Sequence, residues 1–69
     1  MSDLKKILEL LPKQRNKREL SFVHDRQDYQ WYVGYPNQEG DFSIDLHANE
    51  KDIEGACLNL LSQIDEEVK

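Results

Sequence analysis

Asp45 and His47 are the two residues whose types and spacing best suit metal binding. They lie two positions apart in an alternating segment, so both side chains would point from the same face of a strand. A zinc site needs three or four ligands, and Asp41 or Asp25 would have to complete this one. Pairs of polar residues are also common on exposed strand faces. We therefore predict neither a metal nor a cofactor, and we interpret the pair as part of a polar surface.

Cys57, the single cysteine, is the other residue with reactive chemistry. A nucleophilic thiol requires a partly exposed, electropositive setting, whereas Cys57 lies in an apolar helical stripe between Ile53 and Leu61. The sequence also has no nucleophile-elbow serine and no phosphate-binding P-loop. We predict that Cys57 belongs to the core and that the protein is not an enzyme. A lone thiol excludes an intramolecular disulfide and indicates a reducing compartment, the cytoplasm.

Two helices are predicted, each from an apolar stripe with helical spacing. The first covers about residues 3–11, with Ser2 as its N-cap and Pro12 as its stop. The second covers about residues 50–67 and is capped by Asn49. The stripes are Leu4, Ile7, Leu8 and Leu11 in the first helix, and Ile53, Ala56, Cys57, Leu60, Leu61, Ile64 and Val68 in the second.

Three alternating segments predict strands over about residues 19–25, 29–35 and 41–48, and the basic segment before them is predicted to be a loop. Short turns join the strands, which favours an antiparallel meander. One sheet face would be apolar, formed by Leu20, Phe22, Trp31, Val33, Phe42, Ile44 and Leu46. The expected fold is a single α+β domain over residues 1–69, of order αβββα. Its three-stranded meander would carry both helices on the apolar face.

The opposite sheet face would then be open, with Tyr32 at its centre because the second strand is the middle one. We predict partner-binding roles for Tyr32, Asp45 and His47, with Asp41 and Ser43 at the periphery. Tyrosine surrounded by polar groups is typical of protein interfaces, and it is a favoured hot-spot residue. The alternative is an ordinary solvated face, since antiparallel sheets often expose one side.

The charge distribution is polarised. Residues 1–18 hold six bases and two acids, residues 19–69 hold three bases and twelve acids, and the net charge is -5. The acidic body favours a partner protein with a basic surface, although solubility alone would also explain it. It disfavours general nucleic-acid binding. Nucleic-acid binding through the first helix and the basic segment of Lys13, Arg15, Lys17 and Arg18 is an alternative.

A third alternative is a structural homodimer, formed by pairing two open sheets or two edge strands. A domain of this size buries only about 60% of the surface that its unfolded chain exposes, so added burial would help it. A membrane role is not expected, because no apolar run approaches the roughly 20 residues of a spanning helix and the first residues lack the apolar run of a signal peptide.

The α-β-β-β-α order and the segment from Ala56 to Leu61 resemble the double-stranded-RNA-binding domain. That family places basic residues at the start of its final helix to contact phosphates. This sequence has Glu50-Lys51-Asp52-Ile53-Glu54 there, which would repel RNA. The resemblance therefore implies a topology and does not carry the RNA-binding function with it.

A second resemblance is to small uncharacterised phage and prophage proteins. It covers about residues 29–64, where a Trp-Tyr-Val-Gly strand (Trp31 to Gly34) precedes an acidic strand and a helix with Ala-Cys-Leu (Ala56 to Leu58). It implies an accessory or host-directed role, such as inhibition of a host protein, without catalysis.

Overall fold

The fold combines two helices with two antiparallel sheets, one of two strands and one of three. It is a computed structural model that describes residues 3–68. The predicted cap Ser2 and the side chain of Val68 fall outside this description. The α+β class is confirmed. The predicted αβββα order is incomplete, because two further short strands precede the three-stranded sheet.

Helix α1 comprises Leu4–Leu10 and helix α2 comprises Ile53–Val68. Pro12 follows the end of α1 as predicted, and the preceding Leu11 already has an extended backbone. The helices pack against each other, and the backbone N–H of Asp3 donates to the carboxylate of Glu54 over 3.2 Å. The first turns of both helices therefore lie side by side.

The smaller sheet is a ribbon of β1 (Gln14–Arg15) and β2 (Arg18–Glu19), which lies in the segment predicted to be a loop. The turn between them has two residues with positive φ, Asn16 at 52° and Lys17 at 67°. Such a pair is typical of tight hairpins, where Asn-Gly is the usual sequence. The loop prediction failed because lysine takes the place of that glycine.

The larger sheet contains β3 (Ser21–Asp25), β4 (Gln30–Gly34) and β5 (His47–Glu50), in that spatial order. Both pairs are antiparallel, as predicted, and β4 is central. Tyr32 lies opposite Val23 on one side and Asn49 on the other, while Val33 lies opposite Phe22 and Ala48.

The core lies between α2 and the face of β4 and β5 that carries Val33 and Ala48. Its buried members are Ile7, Leu11, Val33, Tyr35, Ala48, Ala56, Cys57, Leu60 and Ile64. Trp31 of β4 packs against this cluster as predicted, and so do Leu20 and Leu46, which lie just before β3 and β5. The alternation of apolar residues thus assigned the covered face of β4 correctly.

The third predicted strand, over residues 41–48, is wrong for most of its length. Phe42–Ile44 form a 3-10 turn, and β5 begins only at His47. Phe42 and Ile44 were predicted to face the helices. Instead Ile44 is exposed, and Phe42 lies against Tyr32. Phe22 is also more exposed than predicted, because α2 packs on β4 and β5 and leaves β3 uncovered.

Gly34 allows β4 and β5 to approach closely at the point where β5 begins. A Cβ atom added at Gly34 would lie 2.7 Å from the Cβ of His47 and 2.9 Å from the carbonyl oxygen of Leu46. Contacts this short are not tolerated unless the backbone moves. Glycine is therefore required here for the register of the sheet.

Neither described helix has the length and apolar character needed to cross a membrane.

Candidate functional site

The sheet face that carries Tyr32 is the predicted contact surface, and it is partly covered. Tyr32 is half-buried, and its ring centroid lies 6.2 Å from that of Phe42, at an interplanar angle of 57°. Aromatic rings at this distance and tilt attract each other. The prediction of a bare face is therefore corrected: the segment between β4 and β5 folds over it and adds Phe42 to it.

Hydrogen bonds to two side chains, rather than pairing with a neighbouring strand, fix the conformation of this segment. The Asn37 side-chain oxygen accepts hydrogen bonds from the backbone N–H groups of Glu39 and Asp41, both over 2.9 Å. Asp41 then caps the 3-10 turn by accepting from the backbone N–H and the hydroxyl of Ser43. These local bonds offer the backbone an alternative to a sheet ladder, which is why the alternating pattern of residues 41–46 misled the strand prediction. The hydrogen bonds from Ser43 also lower the pKa of the Asp41 carboxyl.

A shallow groove of about 750 Å³ lies on this face, between the strand β3 and the segment that carries Phe42. We call it the Tyr32 groove. It is lined by Ser21, Val23, His24, Asp25, Arg26, Gln27, Tyr32, Pro36, Gly40 and Phe42. Its volume is within the range of ligand-binding pockets.

A second groove, of about 490 Å³, lies between α1, the ribbon and β3. It is lined by Leu8, Lys13, Gln14, Glu19, Leu20 and Phe22. Because Val23 lines the Tyr32 groove and Phe22 lines this one, the two faces of β3 each border a groove.

Asp45 is turned away from the Tyr32 groove and is surrounded by the basic ribbon. Its carboxylate accepts hydrogen bonds from Arg15 Nε over 3.0 Å, from Arg18 Nη2 over 2.9 Å and from the Asn16 side chain over 2.9 Å. Arg15 also donates to the carboxylate of Glu67 near the end of α2. We call these five residues the Asp45 junction. It ties together the ribbon, the segment before β5 and α2.

The electrostatics of the Asp45 junction favour the charged forms of its members. Burial alone would raise the pKa of the Asp45 carboxyl, whose side chain is only 7% exposed. The hydrogen bonds from Arg15, the Leu46 backbone, Asn16 and Arg18 outweigh burial and hold this pKa far below its usual range. Hydrogen bonds with Glu67 and Asp45 likewise raise the pKa of Arg15.

The structure brings together only some of the five predicted contact residues. Tyr32 and His47 share one face of the sheet, as predicted. Asp41 and Ser43 are exposed and lie on either side of Phe42. The placement of Asp45 on an exposed strand is wrong, because its carboxylate is enclosed by the Asp45 junction. Asp45 and His47 consequently do not present a shared pair of metal ligands.

The sequence prediction missed Phe42, Pro36 and Gly40 as members of the site. Asn37, Gly40 and Asp41 are all turn-forming residues, and Gly40 has a φ of 86°. The turn expected between the second and third strands is present, but it continues through Phe42–Ile44 before β5 begins at His47.

Two other groups that could take part in reactions, the Cys57 thiol and the Tyr35 hydroxyl, have structural roles. Cys57 lies in the core as predicted, and burial raises the pKa of its thiol, which favours the unreactive neutral form. The ring of Tyr35 is fully buried, and its hydroxyl donates to the carbonyl oxygen of Pro12 over 2.6 Å. Burial raises the pKa of this hydroxyl too.

Comparison of the chain with protein-family models, with curated proteins and with solved structures finds no match.

Proposed function

We propose that this chain is a small, non-enzymatic protein-binding module that holds a basic segment of a partner protein in the Tyr32 groove. The observation that carries the proposal is an apolar groove with acidic side chains beside it. Such a module acts by occupying a surface of its partner. That is the accessory or inhibitory role implied by the resemblance to phage and prophage proteins, and we expect it to act in the cytoplasm.

Aromatic and aliphatic side chains give the groove its capacity for binding. Tyr32, Phe42 and Val23 contribute apolar surface, and Val23 is 48% exposed. Tyrosine is enriched among the residues that dominate binding energy, because it combines a large apolar ring with a hydroxyl group. An aliphatic or aromatic side chain of the partner would replace water on this surface.

The charges around the groove select the partner. Asp25 lines it, and Asp41 and Glu39 adjoin the lining residue Gly40. Within the lining Asp25 is balanced by Arg26, so the local charge of -2 comes from Glu39 and Asp41, which adjoin it. A partner segment with lysine or arginine beside its apolar anchor complements this charge, and electrostatic attraction speeds its association.

The Asp45 junction weakens the case for nucleic-acid binding through the basic segment. Arg15 and Arg18 are engaged by Asp45 and Glu67, so only Lys13 and Lys17 of that segment keep a charge that is free for phosphates. Lys5 and Lys6 of α1 add two more charges, and four lysines on a chain of net charge -5 give a small electrostatic contribution to nucleic-acid affinity.

The proposal can be tested without knowledge of the natural partner, by selecting peptides from a random library against the immobilised protein. We expect the selected peptides to combine an aromatic or aliphatic residue with lysine or arginine. Replacing Tyr32→Ala should weaken the best peptide about 30-fold, as expected for loss of a hot-spot residue worth about 2 kcal/mol. Phe42→Ala should act in the same direction, and Glu39→Lys should weaken binding several-fold through charge alone.

Tyr29→Ala is the matched control, since Tyr29 is 73% exposed and is not among the lining residues. It should leave peptide affinity unchanged. Circular dichroism must show that the variants remain folded. Peptides enriched in acidic residues, or peptides that bind the Tyr32→Ala and Tyr29→Ala variants equally well, would contradict the proposal.

A further inference from the structure

Strand β3 is open to contact at its outer edge and on both of its faces. Within residues 3–68 it lies at one edge of the three-stranded sheet. Helix α2 packs on β4 and β5, so neither face of β3 is covered by it. Phe22 is 39% exposed on one face, in the second groove, and Val23 is 48% exposed on the other, in the Tyr32 groove.

Nothing in the sequence of β3 discourages pairing with another strand. Natural edge strands are commonly protected by lysine, proline or an inward-pointing charge. The segment Ser21–Asp25 carries none of these at its centre, where Phe22, Val23 and His24 follow one another. Its single charged residue, Asp25, is at the end of the strand and accepts a hydrogen bond from the backbone of Gln27 over 2.9 Å.

We propose that β3 pairs with β3 of a second copy of this chain, antiparallel about a two-fold axis through Val23, to form a six-stranded sheet. A closed dimer has such an axis, and the two paired strands are then related by it. Centring the axis on Val23 pairs all five residues of the strand, whereas any shift leaves some of them unpaired. Phe22 then lies opposite His24 of the second copy on one face, and the two Val23 side chains meet on the other.

The charges at the two ends of β3 favour this antiparallel arrangement. The ribbon precedes β3, and its free charges are Lys17 at the turn and Lys13 beside Leu20 against Glu19, a net +1, because the Asp45 junction engages the two arginines. The turn after β3 holds Asp25 and Asp28 against Arg26. A two-fold axis brings the basic end of each copy beside the acidic end of the other, and such complementarity fixes orientation and register.

Burial of apolar side chains also favours a second copy of the chain as the partner. Side chains that alternate along an added strand enter pockets on the two faces of a sheet, while the backbones form hydrogen bonds. Here Phe22 and Val23 lie on opposite faces of β3, and pairing places each of them beside β3 of the second copy, so part of their exposed apolar surface is removed from water. The pairing is short and each copy carries a charge of -5, so we expect a weak dimer.

Sedimentation equilibrium tests the dimer directly. The average mass should rise from 8.2 kDa towards twice that value as concentration increases. The useful range runs from about 10 μM to about 1 mM, in which small interfaces associate. Phe22→Lys should hold the mass at the monomer value, because it places a charge in the pairing face. Leu58→Lys is the matched control: Leu58 is 50% exposed on α2, and the variant adds the same charge away from β3.

Single-cysteine variants test the register. Under mild oxidation Val23→Cys should cross-link rapidly, because the two positions face each other within disulfide reach. Ser21→Cys should cross-link slowly, because the two positions would lie ~13 Å apart along the paired strands. Cys57 is fully buried and does not compete.

A mass near 8.2 kDa at every concentration overturns the dimer, as does equal dissociation by Phe22→Lys and Leu58→Lys. Equal cross-linking of the Val23→Cys and Ser21→Cys variants overturns the two-fold register. Phe22 lies outside the Tyr32 groove, so Phe22→Lys leaves the peptide test of the proposed function unaffected, and the two proposals fail independently.

Discussion

At the Asp45 junction, side chains from three distant parts of the chain form ion pairs with one another, although Arg18 Nε is buried without a hydrogen-bond partner. Around β3 and the Tyr32 groove, by contrast, apolar side chains remain exposed. Asp45 and Asp41 make the difference plain. They are four residues apart, yet one carboxylate is enclosed by two arginines and the other caps an exposed turn. Groups that the chain itself satisfies hold the fold together. Groups that it leaves exposed are those with which it can bind something else.

The largest expected effect is at the Asp45 junction. Replacing Asp45→Ala leaves Arg15 and Arg18 without their shared carboxylate in a partly buried site. Removal of one member of a buried ion pair costs about 3–5 kcal/mol, and the partial exposure of the arginines reduces this to roughly 2–3 kcal/mol. Urea unfolding should show this loss. Asp41→Ala, the matched exposed aspartate, should cost only about 1 kcal/mol through loss of its capping hydrogen bonds, and an equal loss in the two variants would remove the distinction between the regions.

Acid titration sharpens the same test. The pKa of Asp45 is lower in the folded protein than the value of about 4 expected for the unfolded chain. The stabilisation by this carboxylate is therefore fully present above about pH 4, and it is lost as the pH falls below 4 towards the folded pKa. The difference in unfolding free energy between wild type and Asp45→Ala should shrink as the pH falls from about 4 to about 2. A difference that stays constant over this range would show that the charge of Asp45 is not what stabilises the junction.

A smaller effect is expected at Gly34, which lies between the two regions. Gly34→Ala would push β5 away from β4 beside His47, and strain of this kind costs about 2 kcal/mol. It should also weaken peptide binding at the Tyr32 groove, because Phe42 is carried by the segment that leads into β5. Thermal unfolding and the peptide titration measure the two effects.

Gly55→Ala is the control for this substitution. A Cβ atom at Gly55 would meet its nearest neighbour, the Cβ of Glu50, at an ordinary 3.6 Å. The variant should be neutral or stabilised by up to about 1 kcal/mol, since alanine favours helices over glycine. If both variants behaved alike, the close approach of β4 and β5 would not be a constraint on the fold.

The parts of the fold that follow a regular apolar period were predictable from sequence. The stripe from Ile53 to Ile64 gave α2, and the alternation of Trp31 and Val33 gave the covered face of β4. The prediction failed where side chains bond to the nearby backbone. The period-two pattern of residues 41–46 is that of a strand, but Asn37 and Asp41 direct the chain into a turn.

The candidate site was predictable only in part, for the same reason. Tyr32 follows from the central position of β4, so sequence pattern was enough to place it. Phe42 depends on the turn before it, and the enclosure of Asp45 depends on residues 27 and 30 positions away along the chain. Contacts of that range carry no periodic pattern, so the sequence offered no means of separating Asp45 from Asp41.

The smallest expected effect concerns Tyr35, which belongs to the satisfied part of the molecule. Its hydroxyl donates to the carbonyl oxygen of Pro12 and so joins the sheet to the chain between α1 and the ribbon. Tyr35→Phe keeps the buried ring and leaves that carbonyl without its donor, at a cost of about 1 kcal/mol in unfolding free energy. Tyr29→Phe removes a hydroxyl from a side chain that is 73% exposed, and it should have no effect on urea unfolding. Equal stability of the two variants would mean that this hydrogen bond contributes nothing net. The Asp45 junction and apolar packing alone would then stabilise this part of the molecule.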